Sequence, residues 1–195
     1  MTKYNIDVIA VGASTGGPLV LQKFLKELSA DVTTPILIVQ HISSGFTDGF
    51  AEWLSFTCSL KVKLPSDGEK IESGTVYVAP DNFHMGVDGT GHILLSDLPP
   101  IRNLKPAVSF LFRSVAESYG PDSIGVLLTG MGRDGAAELK MMRDKGAVTF
   151  AQDEESCIVF GMPGEAVKLG GAVYVLPPEE IALKIKEILK GSDNF

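Results

Sequence analysis

The sequence predicts an α/β fold in three layers: a doubly wound, mostly parallel sheet with helices on both faces and an inserted antiparallel β-meander. First, strand-like and helix-like patterns alternate along most of the chain, which is typical of parallel βαβ units. Second, the strand-like segments are nearly continuous apolar runs, as expected when helices cover both faces of a sheet. Third, residues 61–96 break this alternation with short β-rich pieces between Gly, Asp and Asn clusters. Such punctuation favours an antiparallel meander.

The first half of the chain begins with the strand IDVIAVG, residues 6–12. A helix follows, because apolar residues recur there at helical spacing: Leu21, Phe24, Leu25 and Leu28. The run TPILIVQH at 34–41 predicts a second buried strand, and FTDGFAEWLSF at 46–56 predicts a second helix. Within 61–96, we expect GTVYVA and GHILLS to be strands of the meander.

In the second half the helical period returns after Pro99 and Pro100, with Pro106 near the predicted helix start. The apolar face of that helix consists of Val108, Leu111, Phe112 and Val115. The segments that follow predict, in order, the strand SIGVLLTG, a helix to about Lys145, the strand AVTFAQ, a short helix at 164–169, the strand AVYVL and a closing amphipathic helix.

Composition bounds the function. A length of 195 residues suits one domain, and a net charge of −7 without a Lys/Arg cluster argues against nucleic-acid binding. No apolar run is long enough for a membrane helix and the N-terminus lacks a secretory signal, so we expect a cytoplasmic protein with no membrane insertion. Cys58 and Cys157 have no CxxC spacing and predict buried thiols. We expect no metal and no cofactor.

The turn GASTG, residues 12–16, follows the first strand and precedes the first helix. One interpretation is a nucleophile elbow, in which small residues allow a tight turn that leaves the hydroxyl of Ser14 exposed at a helix N-terminus. The other is a phosphate-binding loop. A dinucleotide fingerprint, however, needs a glycine in place of Ser14 and an acid at the end of the second strand, where this chain has Gln40 and His41. A glycine-rich turn without function also remains open on this motif alone.

His41 and Asp134 give the serine two partners. His41 ends the second strand, and Asp134 lies in the strand-to-helix turn MGRDGA. Taken alone, the histidine is more often structural and the aspartate is an N-cap of the helix that follows it. Because the carboxyl ends of parallel strands share one edge, Ser14, His41 and Asp134 are expected there together as nucleophile, base and orienting acid. His84 and His92 are interpreted as packing or surface residues.

The motifs VGASTGGP, VQHISSGFT, VYVAPDNFH, LFRSVA, GVLLTGMGRDGA and AQDEESCIVFGMPGEA, in this order and spacing, resemble the catalytic domain of the chemotaxis protein-glutamate methylesterases. The resemblance implies hydrolysis of glutamyl methyl esters on the cytoplasmic helices of chemoreceptors, and in some members deamidation of glutamine. It also implies Ser14, His41 and Asp134 as the catalytic residues, with Thr15 positioning the histidine and the Met131 N–H in the oxyanion hole. Residues 1–190 would be the catalytic domain and 191–195 a flexible tail.

Two departures from the family pattern accompany the resemblance. Ala107 and Ser109 stand where a serine and an aspartate are common, and Glu52 and Trp53 stand in a segment that is commonly arginine-rich. Neither is expected to touch the triad, but both could alter receptor docking. Many members carry a receiver domain, which could act on this chain in cis or in trans. The alternatives are a nucleotide- or phosphate-binding α/β module and an esterase of a non-chemotaxis signalling protein.

Overall fold

The structure is a computed structural model that describes residues 5–28 and 32–191. Its strands are β1 (Val8–Ala13), β2 (Ile36–Gln40), β3 (Lys61–Lys63), β4 (Thr75–Val78), β5 (His84–Val87), β6 (Ile93–Ser96), β7 (Ser123–Leu127), β8 (Val148–Gln152) and β9 (Tyr174–Leu176). Its helices are α1 (Gly17–Leu28), α2 (Thr47–Thr57), α3 (Val108–Ser118), α4 (Ala136–Asp144), α5 (Met162–Lys168) and α6 (Pro178–Lys190), with a 3₁₀ turn at Gly120–Asp122.

Seven strands form one sheet in the order β3-β4-β2-β1-β7-β8-β9, and every neighbouring pair in it is parallel. Strand β1 lies at the centre, and all six of its residues are buried. Because successive side chains of a strand point to opposite faces, Ile9 and Val11 join one apolar cluster while Val8 and Ala10 join the other. The predicted three-layer, mostly parallel α/β class is confirmed.

The two faces of the sheet are covered by different helices. Helices α1, α2 and α6 pack on one face, where the predicted apolar residues of α1 are buried together with Ile181, Ile185 and Ile188 of α6. Helices α3, α4 and α5 cover the other face, and the predicted apolar face of α3 is fully buried there. Burial on both faces explains why the central strands contain almost no polar residues.

The predicted meander over 61–96 is wrong in extent. Only β5 and β6 form an antiparallel pair, whereas β3 and β4 join the parallel sheet beside β2. The reason is visible in the sequence of β4, TVYV, whose four residues are all buried and do not alternate. A continuous buried run belongs in a sheet covered on both faces.

The C-terminal helix ends at Lys190 and is followed by Gly191, which adopts a left-handed φ of 68°. A glycine in this conformation is a common helix stop. The tail that the sequence predicts at 191–195 otherwise lies outside the described residues. Within 5–28 and 32–191, no helix is both long and apolar enough to cross a bilayer.

Candidate active site

The carboxyl end of β1 is the point where the sheet topology reverses. The connection after β1 leads through α1 to β2 on one side, and β7, which arrives much later in the chain, pairs with β1 on the other side. In open α/β sheets, ligands bind in the crevice outside such a point. Ser14 directly follows β1, and the pairing of Ala13 with Gln40 places His41 beside it.

His41 and Asp134 are in direct contact. His41 Nε2 lies 2.9 Å from Asp134 Oδ2, and the side chains are 11% and 3% exposed. An ionised carboxylate only accepts hydrogen bonds, so Nε2 is the donor in this contact. Among the residues that the structure describes, no hydrogen bond joins Ser14 Oγ to His41. Catalytic hydrogen bonds are often long without substrate and tighten in the complex.

Asp134 is a helix cap, but not of its own helix. Gly135 is at the N-cap of α4, whereas the Asp134 carboxylate accepts hydrogen bonds from the first two amides of α3. Val108 N donates to Oδ2 at 2.6 Å and Ser109 N donates to Oδ1 at 3.0 Å. The expectation that Asp134 caps the helix that follows it is therefore wrong, because the carboxylate points across to a neighbouring helix whose own N-cap residue, Ala107, has no polar side chain.

The environment of Asp134 favours its charged form. Burial alone would raise the pKa of this carboxyl, but hydrogen bonds from His41 and Ser109 outweigh burial and hold the pKa below its usual value. The positive end of the α3 dipole acts in the same direction. Asp134 is thus a fixed negative charge that orients His41.

The turn that carries Ser14 is held from both sides. Ser14 N donates to Thr129 O at 3.0 Å, and Ser14 O accepts from Gly17 N at 2.8 Å and from Gln40 Nε2 at 2.9 Å. Gly16 adopts the left-handed conformation, with φ 80°. Ser14 does not have a positive φ. The turn therefore presents the serine through a glycine two residues later.

Gly130 allows the loop after β7 to lie against this turn. A Cβ at Gly130 would fall 2.7 Å from Ser14 Cβ and 2.5 Å from Met162 Sδ. A contact below 3.0 Å requires a shift of one of the partners. Glycine at this position is a condition for the close approach of the Ser14 turn and the loop that bears Asp134.

Thr15 and Met131 lie at the open side of the site. Thr15 is exposed, and Met131 is 74% exposed. Over residues 5–28 and 32–191, the backbone N–H groups of both residues have no intramolecular acceptor. The same described residues show no hydrogen bond between Thr15 and His41. The Thr15 carbonyl instead accepts from Thr129 Oγ1 at 3.0 Å.

The departures from the family pattern lie in places that the sequence did not predict. Ala107 and Ser109 are buried at the start of α3, so their side chains do not form a docking surface. Ser109 contacts Asp134 through its backbone amide, which any non-proline residue at this position would supply, so the contact does not depend on the departure from the family pattern. On α2, Glu52 is exposed and Trp53 is partly buried against the core.

Sequence reasoning missed three supporting residues. Gln40 and Thr129 are buried and hold the Ser14 turn, and His84 is buried and holds the loop before α3. His84 accepts a hydrogen bond from Ala107 N at Nδ1 and donates from Nε2 to Pro99 O, both at 3.2 Å. Gln40 and Thr129 each stand at the end of an apolar run, and a polar residue in that position is the sequence signal that indicates their role.

The space next to the site is a pocket of about 380 Å³ beside Asp134. Its lining residues are Arg102, Asn103, Leu104, Met131, Gly132, Arg133 and Asp134.

Cys58 and Cys157 are partly buried free thiols rather than fully buried ones. The described residues contain no group of three or more His, Cys, Asp or Glu residues arranged to hold a metal ion.

Comparison with known proteins gives a consistent result. Residues 9–185 match the family model described as CheB methylesterase. A protein of Syntrophus aciditrophicus named "Protein-glutamate methylesterase/protein-glutamine glutaminase 1" is 53% identical over 91% of this chain and 51% of its own length. A similarly named protein of Geobacter metallireducens is 50% identical over 96% of this chain and 54% of its own length. The chain thus spans about half the length of these curated relatives.

One solved structure agrees in fold as well as in sequence. The catalytic domain of the Thermotoga maritima CheB methylesterase superimposes with a TM-score of 0.90 and is 39% identical. The match covers 94% of this chain and 98% of that domain.

Proposed function

The chain belongs to the CheB methylesterase family, and from this premise we propose that it is a serine hydrolase that removes methyl esters from glutamate side chains of chemoreceptors and releases methanol. The observation that carries the proposal is the His41–Asp134 hydrogen bond of 2.9 Å at the strand end beside Ser14. A base held by a buried carboxylate next to a serine is the arrangement that nucleophilic acyl transfer needs.

In the proposed reaction Ser14 Oγ attacks the ester carbonyl while His41 Nδ1 takes the hydroxyl proton. Asp134 holds the Nε2–H and stabilises the positive charge that forms on the ring. The unpaired N–H groups of Thr15 and Met131 lie on the loops that flank Ser14 and would bind the oxyanion. His41 then protonates the methoxide as methanol leaves, and water cleaves the glutamyl-enzyme by the same steps in reverse.

The same groups would also hydrolyse a glutamine side chain, with ammonia as the leaving group in place of methanol. The printed names of the relatives include a glutaminase, which supports this second activity. The pocket beside Asp134 would bind the receptor residues that flank the scissile ester. We further propose that residues 1–190 act as a catalytic domain in the cytoplasm, on the cytoplasmic helices of receptors, and under a receiver domain in cis or in trans.

A nucleotide-binding module is not favoured. The position where such a module carries a ribose-binding acid is occupied by Gln40, which is buried and donates to backbone carbonyl groups. Calorimetry with nucleotides should accordingly show no tight binding.

The test of the esterase is methanol release from methylated chemoreceptor by wild type, Ser14→Ala and His41→Asn. Each variant should lose several orders of magnitude in turnover with its circular dichroism retained. The chain offers a matched control in His92, which lies 3.8 Å from Asp88 in a second but more exposed His–Asp pair. His92→Asn should keep wild-type turnover. Near wild-type methanol release by Ser14→Ala would refute the proposed function.

The choice of substrate protein is tested separately. A panel of methylated proteins should give methanol only with chemoreceptor. Release from another signalling protein, and not from chemoreceptor, would favour the alternative esterase over the proposed one.

A further inference from the structure

Gln40 is the last residue of β2, between the base and the nucleophile turn, and it is only 5% exposed. Its carboxamide nitrogen donates two hydrogen bonds, to Ser14 O at 2.9 Å and to His41 O at 2.8 Å. One planar amide therefore connects the backbones of two residues that lie 27 positions apart in the sequence. Because both partners are carbonyl oxygens, the contacts also fix which end of the amide is nitrogen.

The oxygen end of the same amide has no partner. Gln40 Oε1 is buried and accepts no hydrogen bond from the described residues. It lies against Gly17, where a Cβ would fall 1.9 Å from it. The oxygen therefore has room in this place because residue 17 is a glycine. A buried polar atom without a partner lowers stability, and such exceptions are expected mainly at functional sites. Gln40 therefore gains two hydrogen bonds through its nitrogen and leaves its oxygen unsatisfied.

The two carbonyl oxygens that Gln40 binds differ in whether they have a second donor. Ser14 O keeps a second donor, Gly17 N, but Gln40 Nε2 is the only donor to His41 O among the residues that the structure describes. His41 is also the first residue beyond the strand, where ladder hydrogen bonds end after its own N–H donates to Ala13 O. Without Gln40, the backbone that carries the imidazole is tied on one side only.

We infer that Gln40 is a positioning residue for the reaction, one that sets the distance between the Ser14 hydroxyl and the His41 ring by binding both backbones. The inference rests on the proposed function and assigns Gln40 no contact with substrate. Gln40→Met keeps the volume and removes both donors, while Gln40→Asn keeps an amide on an arm one methylene too short to reach both carbonyls. Either variant should lower kcat roughly 10- to 100-fold, since misplacement by about 1 Å has effects of this size.

The expected change is confined to chemistry. KM for methylated receptor should stay within about twofold of wild type, because Gln40 is buried and is assigned no contact with substrate. The rate at which a fluorophosphonate labels Ser14 should fall by the same factor as kcat, since that reaction needs the activated hydroxyl and no receptor. Thermal unfolding of each variant is measured alongside both rates.

The matched control is Thr149→Val on β8. Thr149 is fully buried, donates to Gly171 O at 2.7 Å, accepts from Val173 N at 3.2 Å, and forms no described hydrogen bond with Ser14, His41 or Asp134. Thr149→Val removes two side-chain hydrogen bonds, as Gln40→Met does, and should lower the Tm without changing kcat or labelling. This control separates positioning from general destabilisation.

Wild-type kcat and labelling in both Gln40 variants, or an equal loss in Thr149→Val, would overturn the inference. The Asn variant keeps the test valid if the Met variant does not fold. Fluorophosphonate labelling also separates the two proposals. Fast labelling of Ser14 without methanol release would refute the methylesterase assignment, and the labelling rates of the Gln40 variants would still decide the role of Gln40.

Discussion

Asp134 should contribute to stability as well as to turnover, and the size of its contribution follows from its three hydrogen bonds. In Asp134→Asn, a carboxamide must face two backbone donors and one ring nitrogen. If its oxygen takes the Oδ2 position, the NH₂ meets the N–H of Ser109. If it is turned round, the NH₂ meets the N–H of Val108 and makes His41 Nε2 an acceptor, which puts a proton on Nδ1. Either orientation leaves one buried amide of α3 without a partner.

An unsatisfied buried N–H costs about 1–3 kcal/mol, so Asp134→Asn should lower the free energy of unfolding by about that amount. Asp134→Ala leaves two amides unsatisfied and should lower it by about 2–6 kcal/mol. Turnover of Asp134→Asn should fall by roughly 10³- to 10⁴-fold, because the wrong tautomer or a misplaced ring stops His41 from acting as a base.

Urea denaturation followed by circular dichroism measures the stability change, and Asp48→Asn provides the control. Asp48 lies in the first turn of α2 but is exposed, so its substitution should change stability by less than about 0.5 kcal/mol.

The pKa of Asp134 is lowered by folding, so its stabilising effect is present above the unfolded value of about 3.9 and is lost as the pH falls through the lower folded value. The difference between wild type and Asp134→Asn should therefore shrink below about pH 4. Equal urea midpoints for wild type, Asp134→Asn and Asp48→Asn at pH 7 would refute the reasoning.

Three further predictions concern the surroundings of the site. Gly130→Ala should lower kcat at least about tenfold in the methanol assay, because the new methyl group meets Ser14, whereas Gly49→Ala, in open space on α2, should have no effect. His84→Leu should lower the free energy of unfolding in urea by about 1–3 kcal/mol, since it leaves the buried Ala107 N–H unpaired, whereas the exposed Pro99 carbonyl can bind water; an unchanged midpoint would contradict this. Burial raises the pKa of the Cys157 thiol to about 11. Iodoacetamide at pH 8 should therefore alkylate it roughly 10²-fold more slowly than an unstructured cysteine peptide, as followed by mass spectrometry, and equal rates would contradict the raised pKa.

The sheet and its strand-end residues could be predicted from the sequence because both depend on simple periodicity. Continuous apolar runs identify the buried parallel strands, and the residue after each run lies at one edge, which is why Ser14 and His41 were expected together. The same rule, applied to β4, would have placed it in the parallel sheet. Frequent turn residues around it favour a meander instead, because the local turn chemistry and the apolar pattern of this strand point to different folds.

The hydrogen bonds that hold the site could not be predicted in this way. Asp134 caps a helix that begins 26 residues before it, and Gln40 bonds to a turn that lies 26 residues away. Such contacts depend on the positions that the turns take once the sheet and helices have packed. No local sequence pattern predicts those positions. Ala107 and Ser109 illustrate the point, because a family comparison marks them as unusual but does not reveal that they are buried beside Asp134.

The central position of β1 has a consequence for how the chain is made. Its pairing with β2 needs only the first 40 residues, but its pairing with β7 needs residues up to Leu127. During synthesis, the proposed nucleophile and base can therefore come together long before Asp134 is made, and β1 meanwhile carries one unpaired edge along six apolar residues. An open, apolar edge of this kind is a template for pairing with another chain. A fragment that ends before β7 should consequently be prone to self-association, and the proposed esterase activity should begin only when this edge is closed.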